Sequence, residues 1–246
     1  GLKIWPNSLC FAMGAALAEI DSNIGEGSEE GWLRAPKSSI LLEANNSAID
    51  QVKLIIQEGR FQEEIITFKL KVGIQENKSE EELVNKLLSL LPINSRLRLD
   101  VNEGWELHQA EDWAYSLQKE SRIEWIEQPL PAKDIEGLLK LSKITSIALD
   151  ESLISNPSLI QDWQGWQVRR PLLEGDPRPL LKELREGAKF RVLSTTFETG
   201  IGKRWIDHLA ALQHQGPTPT APGLGPGWTP QTPLFSNYPE VVWETA

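Results

Sequence analysis

The stretch from residue 67 to residue 151 contains four short runs: TFKLKV (67–72), RLRLDV (96–101), IEWIEQ (123–128) and SIALDE (146–151). A segment with helical spacing separates each run from the next. In the first run Phe68, Leu70 and Val72 share one face and Lys69 and Lys71 the other, because successive strand side chains point to opposite sides. Strand, helix and strand in strict alternation, at repeats of about 20–30 residues, require parallel strands joined by crossover helices.

The same alternation extends outward in both directions. Ser39–Leu42 (SILL) precedes it as a strand, with a helix through Ile49, Val52 and Ile56. WQVRR (166–170) and FRVLSTTF (190–197) follow as the sixth and seventh strands. Helices are expected over Ser79–Leu91, Ala110–Gln118, Ile135–Leu141, Pro157–Trp163, Pro179–Glu186 and Gly202–Gln213. Ser79, with Glu82 three residues on, has the pattern of a capping box. Thr220–Pro230, rich in Pro and Gly, stands where an eighth strand would fall. Seven clear units and a weak eighth fit a closed barrel better than an open doubly wound sheet. No G-x-G-x-x-G follows a strand, so a dinucleotide fold has no support. The expected fold is α/β, a (β/α)7β-type TIM barrel.

Composition narrows the function classes. The chain has 246 residues, 40% of them hydrophobic and 24% charged, which is ordinary globular usage. With 35 acidic and 25 basic residues the net charge is −10, which disfavours nucleic acid and anionic lipid as partners. Cys10 is the one cysteine, so an internal disulfide is impossible. No apolar run approaches the roughly 20 residues of a membrane span. A soluble, cytoplasmic protein is the expectation. The chain begins at Gly1, and Leu9, Phe11, Ala12, Ala15, Ala16 and Ala18 already form an apolar helical pattern that needs a partner. A segment is therefore expected to precede residue 1.

In parallel barrels the active site lies at the C-terminal ends of the strands. Those ends supply Lys71, Asp100, Glu127, Asp150, Arg170 and Thr196. Asp100, Glu127 and Asp150 follow one another at about one βα unit, so three successive staves bring a carboxylate to one rim. Like charges raise one another's pKa, and three such acids need a cation between them. Oxygen-only ligation selects a hard ion, for which Mg²⁺ is the natural candidate. Each acid taken alone has a plain alternative, as a helix cap or a surface ion pair; three in register do not.

Lys69 and Lys71 lie two apart and look into the barrel, where paired ammonium groups would move a lysine pKa down toward the range of a general base. Arg98 shares the face of Asp100, one layer deeper, and is placed to orient the ligands or a bound acid group. His108, His208 and His214 are read as surface residues. Trp105, just past the third strand, is a candidate for lining the site, and the other tryptophans are read mainly as packing.

The series TFKLKVG (67–73), RLDVNEGW (98–105), WIEQP (125–129) and ALDES (148–152) resembles the enolase superfamily. Within it the chain is similar to the o-succinylbenzoate synthases of menaquinone and phylloquinone biosynthesis, to which VLSTTFETGIG (192–202) and APGLGP (221–226) add. The resemblance runs from about residue 8 to 230. It implies a remnant of an N-terminal capping domain over 1–36, a catalytic barrel over 37–232 and a C-terminal tail over 233–246. It implies Lys71 as catalytic base with Lys69 as the neighbour that eases its deprotonation, and Asp100, Glu127 and Asp150 as ligands of Mg²⁺, with Mn²⁺ as a substitute. Asn102, Arg98, Ser194, Thr196, Gly223 and Leu224 would contact a small-molecule carboxylate substrate. The implied reaction is syn elimination of water from 2-succinyl-6-hydroxy-2,4-cyclohexadiene-1-carboxylate.

The chain departs from the family at Arg169-Arg170-Pro171, where a lysine usually precedes the proline. A guanidinium stays protonated, so Arg170 is poorly suited to exchange protons as the second base of a racemase. It can still stabilise an anionic ring, or it can pair with Asp150 or Glu174 and take no part in chemistry. Two alternatives stand beside dehydration: a related epimerase, racemase or cycloisomerase, and an inactive truncated barrel.

Overall fold

The computed structural model describes residues 5–62, 65–236 and 238–246, apart from the side chains of Gln62 and Trp228, so the chain start at Gly1 lies outside the described residues. The alternation expected from the sequence is present. Seven strands follow one another in chain order in a single sheet. Two compact units make up the chain, one of Ser39–Gln167 and the other of Gly1–Ser38 with Val168–Ala246.

In the unit of residues 39–167, strands β1 (Ile40–Leu42), β2 (Thr67–Lys71), β3 (Arg96–Asp100), β4 (Ile123–Glu127), β5 (Ile147–Leu149) and the start of β6 (Trp166–Arg169) pair in parallel. Phe68, Leu70, Leu97, Leu99, Ile126 and Leu149 form one apolar cluster with Val52, Leu87, Ala114, Leu138 and Trp163. Those partners come from helices α2 (Ser47–Gln57), α3 (Asn77–Leu90), α4 (Leu107–Leu117) and α5 (Ile135–Leu141), and from Trp163 after helices α6 (Glu151–Ser155) and α7 (Leu159–Asp162). One strand face is thus spent on the helices, which leaves Lys69, Lys71, Arg98, Asp100, Trp125 and Glu127 on the other.

Two expectations change here. Helix α3 starts at Asn77, and its N-cap Glu76 makes no side-chain cap bond, so Ser79 is not the cap. Glu80, buried, instead accepts hydrogen bonds from the backbone of Gly73 (2.7 Å), Ile74 (2.9 Å) and Gln75 (2.9 Å). Its carboxylate holds the loop that follows Lys71, in which Gly73 takes φ +81°. Trp105 does not line a site: it is buried and stacks on Trp113 with ring centroids 5.1 Å apart.

The other unit contains α1 (Asn7–Ile20), the rest of β6, α8 (Pro171–Glu174), α9 (Arg178–Arg185), β7 (Arg191–Leu193), α10 (Gly200–Gln215) and α11 (Pro239–Thr245). The partner that α1 needs is found within this unit. Phe11, Ala15 and Ala18 pack with Leu180, Leu184, Trp205 and Leu209, while Leu9, Ala12 and Ala16 stay exposed. The weak eighth strand reduces to one parallel bridge between Ser194 and Gly223. The Ser38 hydroxyl donates to the Pro222 carbonyl and accepts from the Leu224 N–H, both at 2.8 Å. Towards the C-terminus, α11 buries Val242, and the Ser236 carbonyl crosses Gly200 where a Cβ would stand 1.7 Å away.

His208 is a further correction. It is fully buried on α10, with Nδ1 accepting from the Leu33 N–H at 3.1 Å and its ring edge-on to Trp32. Its helix looked solvated in sequence because the apolar groups that cover it come from residues far away in the chain. Burial drives its pKa down to about 4, a shift reinforced by Arg185 and only partly offset by Glu30. The folded state therefore resists protonation more than the unfolded chain does. Its stability is fully present above pH about 6.5 and is lost as pH falls toward about 4, by about 3 kcal/mol in all. Urea unfolding midpoints across this window should show that loss in the wild type, and His208→Gln should flatten it. An unchanged slope in the variant would assign the acid sensitivity to other groups.

Candidate active site

The site grows from strand register. Lys71, Asp100 and Glu127 are direct Cα partners across β2, β3 and β4, so neighbouring Cα atoms stand about 4.8 Å apart. Glu127 pairs with Ala148, which places Asp150 two residues further along its stave, roughly 6.6 Å above the row. Lys69 and Arg98 pair in the row beneath, with Trp125 beside Arg98.

The lower row supports the upper one. The Lys69 ammonium bonds Asp100 Oδ2 at 2.9 Å and Glu127 Oε1 at 2.7 Å. Trp125 Nε1 donates to the other oxygen of Glu127 at 3.3 Å. Arg98 points inward and one layer deeper, as expected, and is 2% exposed. There its Nε donates to Glu124 at 2.7 Å and its guanidinium lies 4.0 Å from the centre of the Trp125 ring. Trp125 in turn meets Trp166 at a tilt of 36°, with ring centroids 4.7 Å apart.

The two lysines are dissimilar. Burial would depress the Lys69 pKa, but the charges of Glu127 and Asp100 more than reverse this, so it is raised and Lys69 stays an ammonium. That corrects the expectation of a depressed pKa for Lys69, because the sequence did not reveal that Lys69 is claimed by two carboxylates. Lys71 is exposed at the end of β2 and donates to Asn102 Oδ1 at 2.8 Å. The Asn102 amide passes on to Glu151 Oε1 at 3.1 Å, so the side chain expected to meet substrate is held between Lys71 and Glu151.

Asp100 is buried and its pKa is raised, first by loss of water and then by the Glu127 charge, against the pull of Lys69 and Lys71. Glu151 is raised likewise, by burial and then by Asp150. Asp100 Oδ1 and Glu151 Oε2 are buried with no hydrogen-bond partner. Among the described residues no group of three His, Cys, Asp or Glu side chains is drawn into an ion-holding arrangement. The donor set nonetheless fits a hard divalent cation. Asp100, Glu127 and Asp150 offer carboxylate oxygens from successive staves, and one of those oxygens, Asp100 Oδ1, is buried with no hydrogen-bond partner.

In the other unit, Ser194 and Gly223 are brought side by side, with the Thr195 N–H donating to the Gly223 carbonyl at 3.0 Å. Thr196 gives its hydroxyl and its N–H to the buried Glu198, a residue without a sequence signal of its own. Glu174 accepts the Arg170 N–H at 2.8 Å, but its ion pair is with Arg169, which also binds Glu183. Arg170 Nη1 donates to the Thr195 carbonyl at 2.8 Å.

Residues 50–162, which carry the whole carboxylate row, match the family model of enolase C-terminal domain-like proteins. A crystal structure of o-succinylbenzoate synthase from Thermosynechococcus elongatus BP-1, with magnesium in its active site, superposes with a TM-score of 0.76 at 29% identity, covering 98% of this chain and 74% of that one. Over residues 50–162 the chain is similar to the enolase C-terminal domain-like family. An o-succinylbenzoate synthase of Thermosynechococcus vestitus is 35% identical over 179 residues, which are 69% of this chain and 54% of the relative. The chain thus spans about half the length of that relative. A dipeptide epimerase from Enterococcus faecalis V583 shares the fold at TM-score 0.71 and 21% identity, covering 94% of this chain and 69% of that one. Among the described residues no helix is long and apolar enough to cross a membrane.

Proposed function

We propose that the protein catalyses the Mg²⁺-dependent loss of water from 2-succinyl-6-hydroxy-2,4-cyclohexadiene-1-carboxylate to give 2-succinylbenzoate, a step of quinone biosynthesis in the cytoplasm. The observation that carries this proposal is the register row of Lys71, Asp100 and Glu127, with Asp150 one pleat above it. The o-succinylbenzoate synthases among its relatives support the choice of substrate.

Asp100, Glu127 and Asp150 would hold Mg²⁺, with Mn²⁺ as a substitute. A divalent ion there stabilises the negative charge that develops on the substrate carboxylate when its α-proton leaves. Lys69, anchored by two carboxylates, is a fixed positive charge that keeps the acids in place. Lys71 is bonded to a neutral amide rather than to a carboxylate. As a free amine its Nζ takes the α-proton; as an ammonium it returns that proton to the departing hydroxide on the same face. Water leaves, the ring becomes aromatic and Lys71 is restored. One base suffices. Arg170 cannot exchange protons, which argues against a two-base epimerase.

The test is turnover of the cyclohexadiene carboxylate in the presence of Mg²⁺, followed by ultraviolet absorbance as the aromatic product forms. Absence of product, together with α-hydrogen exchange and inversion of a dipeptide in deuterated water, would move the assignment to an epimerase.

A further inference from the structure

Gln128, the residue after Glu127, has no charge and no part in the chemistry above, yet its side chain makes four hydrogen bonds. It is fully buried. Its Nε2 donates to the Leu130 carbonyl at 2.9 Å and to Ser152 Oγ at 2.7 Å. Its Oε1 accepts from the backbone N–H groups of Asp150 and Ser152, both at 3.1 Å. Two donors and two acceptor positions are all that an amide has, and all are used. The backbone of Gln128 is equally engaged. Its N–H donates to the Ala148 carbonyl and its carbonyl accepts from the Glu103 N–H, each at 2.8 Å. To reach these partners the residue adopts φ +39°, a left-handed conformation that non-glycine residues seldom take.

These contacts reach all three acid-bearing βα units. Gln128 follows Glu127 directly, it grips the N–H of Asp150, and through Glu103 it holds the loop that follows Asp100. We propose that Gln128 is a positioning residue that sets the spacing of the three carboxylates for a single divalent ion. This rests on the metal-dependent reading of the site. The carboxylates repel one another, and Lys69 reaches only two of them. A saturated, buried amide network is rigid and fixes the backbone at Asp150. Outer partners of metal ligands act in this way, and their loss typically weakens binding about 10–100-fold.

Gln128→Leu keeps the approximate volume and removes all four side-chain bonds. Binding is measured on substrate-free protein, by calorimetry with Mg²⁺ alone and by electron paramagnetic resonance with Mn²⁺ alone, beside far-ultraviolet circular dichroism. A dissociation constant raised about 10–100-fold in a folded variant is expected. Ser152→Ala, which spares the Gln128 side chain and removes one partner, should raise it about 5-fold. Gln128→Glu, which retains oxygens for the Asp150 and Ser152 N–H groups, should bind better than Gln128→Leu. If Gln128→Leu does not fold, the Ser152→Ala result decides. Lower thermal midpoints with wild-type ion affinity in the folded variants would overturn the proposal and leave Gln128 a packing residue. A wild type that binds neither ion would instead overturn the metal-dependent function, and this inference with it.

Discussion

Lys71→Ala is expected to lower kcat by about 10⁴-fold, the upper end of what a positioned general base contributes, while leaving the unfolding free energy within about 0.5 kcal/mol of wild type. The second half follows from where Lys71 sits: exposed, at a strand end, bonded to an amide rather than to a carboxylate. Lys69, two residues earlier, should behave in the opposite way. Its ammonium is the shared partner of Asp100 and Glu127, and Lys69→Met leaves two buried carboxylates without it. The cost in metal-free protein is on the order of 3 kcal/mol. Saturating Mg²⁺ should recover part of that loss, since a bound cation supplies the missing charge. Steady-state kinetics on the cyclohexadiene carboxylate and urea unfolding with and without Mg²⁺ check both halves. Equal rates for wild type and Lys71→Ala would remove Lys71 as the base, whatever the stability data say.

Glu127→Gln should abolish the response of the protein to Mg²⁺. A ligand that binds the folded state alone stabilises it by RT ln(1 + [L]/Kd), about 2.7 kcal/mol at a hundredfold excess over Kd. A clear rise of the thermal midpoint with Mg²⁺ is therefore expected in the wild type. Glu127→Gln removes a ligand and a charge from the centre of the register row, so the rise should vanish and turnover should fall about 10³-fold or more. Acidity adds an independent arm. Burial and the Glu127 charge push the Asp100 carboxyl above the usual carboxylate range, so it binds a proton more readily than an exposed aspartate. Protons then compete with the cation, and Mg²⁺ affinity should fall as pH drops through the acidic range. In Glu127→Gln the repulsion that raises Asp100 is gone. A wild-type midpoint that ignores Mg²⁺ at neutral pH would contradict the ligand assignment directly.

What was legible in the sequence is local and periodic. Alternation of Phe68, Leu70 and Val72 with Lys69 and Lys71 tells which face of β2 meets the helices, because a strand side chain's direction depends only on parity. The same parity places Asp100 and Glu127 on the lysine face, and strand-end position then makes them candidate site residues. The weakness of the eighth stave was readable too, as Pro and Gly where β-formers should be. These features need no knowledge of what lies across the fold. Ser79 misled for the same reason: a capping box is a local pattern, and α3 begins two residues earlier, at Asn77.

Tertiary structure alone decided which charges meet and which polar groups are sealed from water. Lys69 and Lys71 look equivalent in sequence, yet one is clamped by two acids from neighbouring strands and the other faces an amide. His208 sits on a helix that reads as half-solvated, and it is buried by Trp32 and Leu33 from far along the chain. Gln128 carries no periodic or charge signal; its role exists only because β3, β4 and β5 bring Glu103, Ala148, Asp150 and Ser152 around it. Side-chain direction follows from backbone geometry one residue at a time. Desolvation and pairing depend on every neighbour at once, and only the folded chain supplies those neighbours.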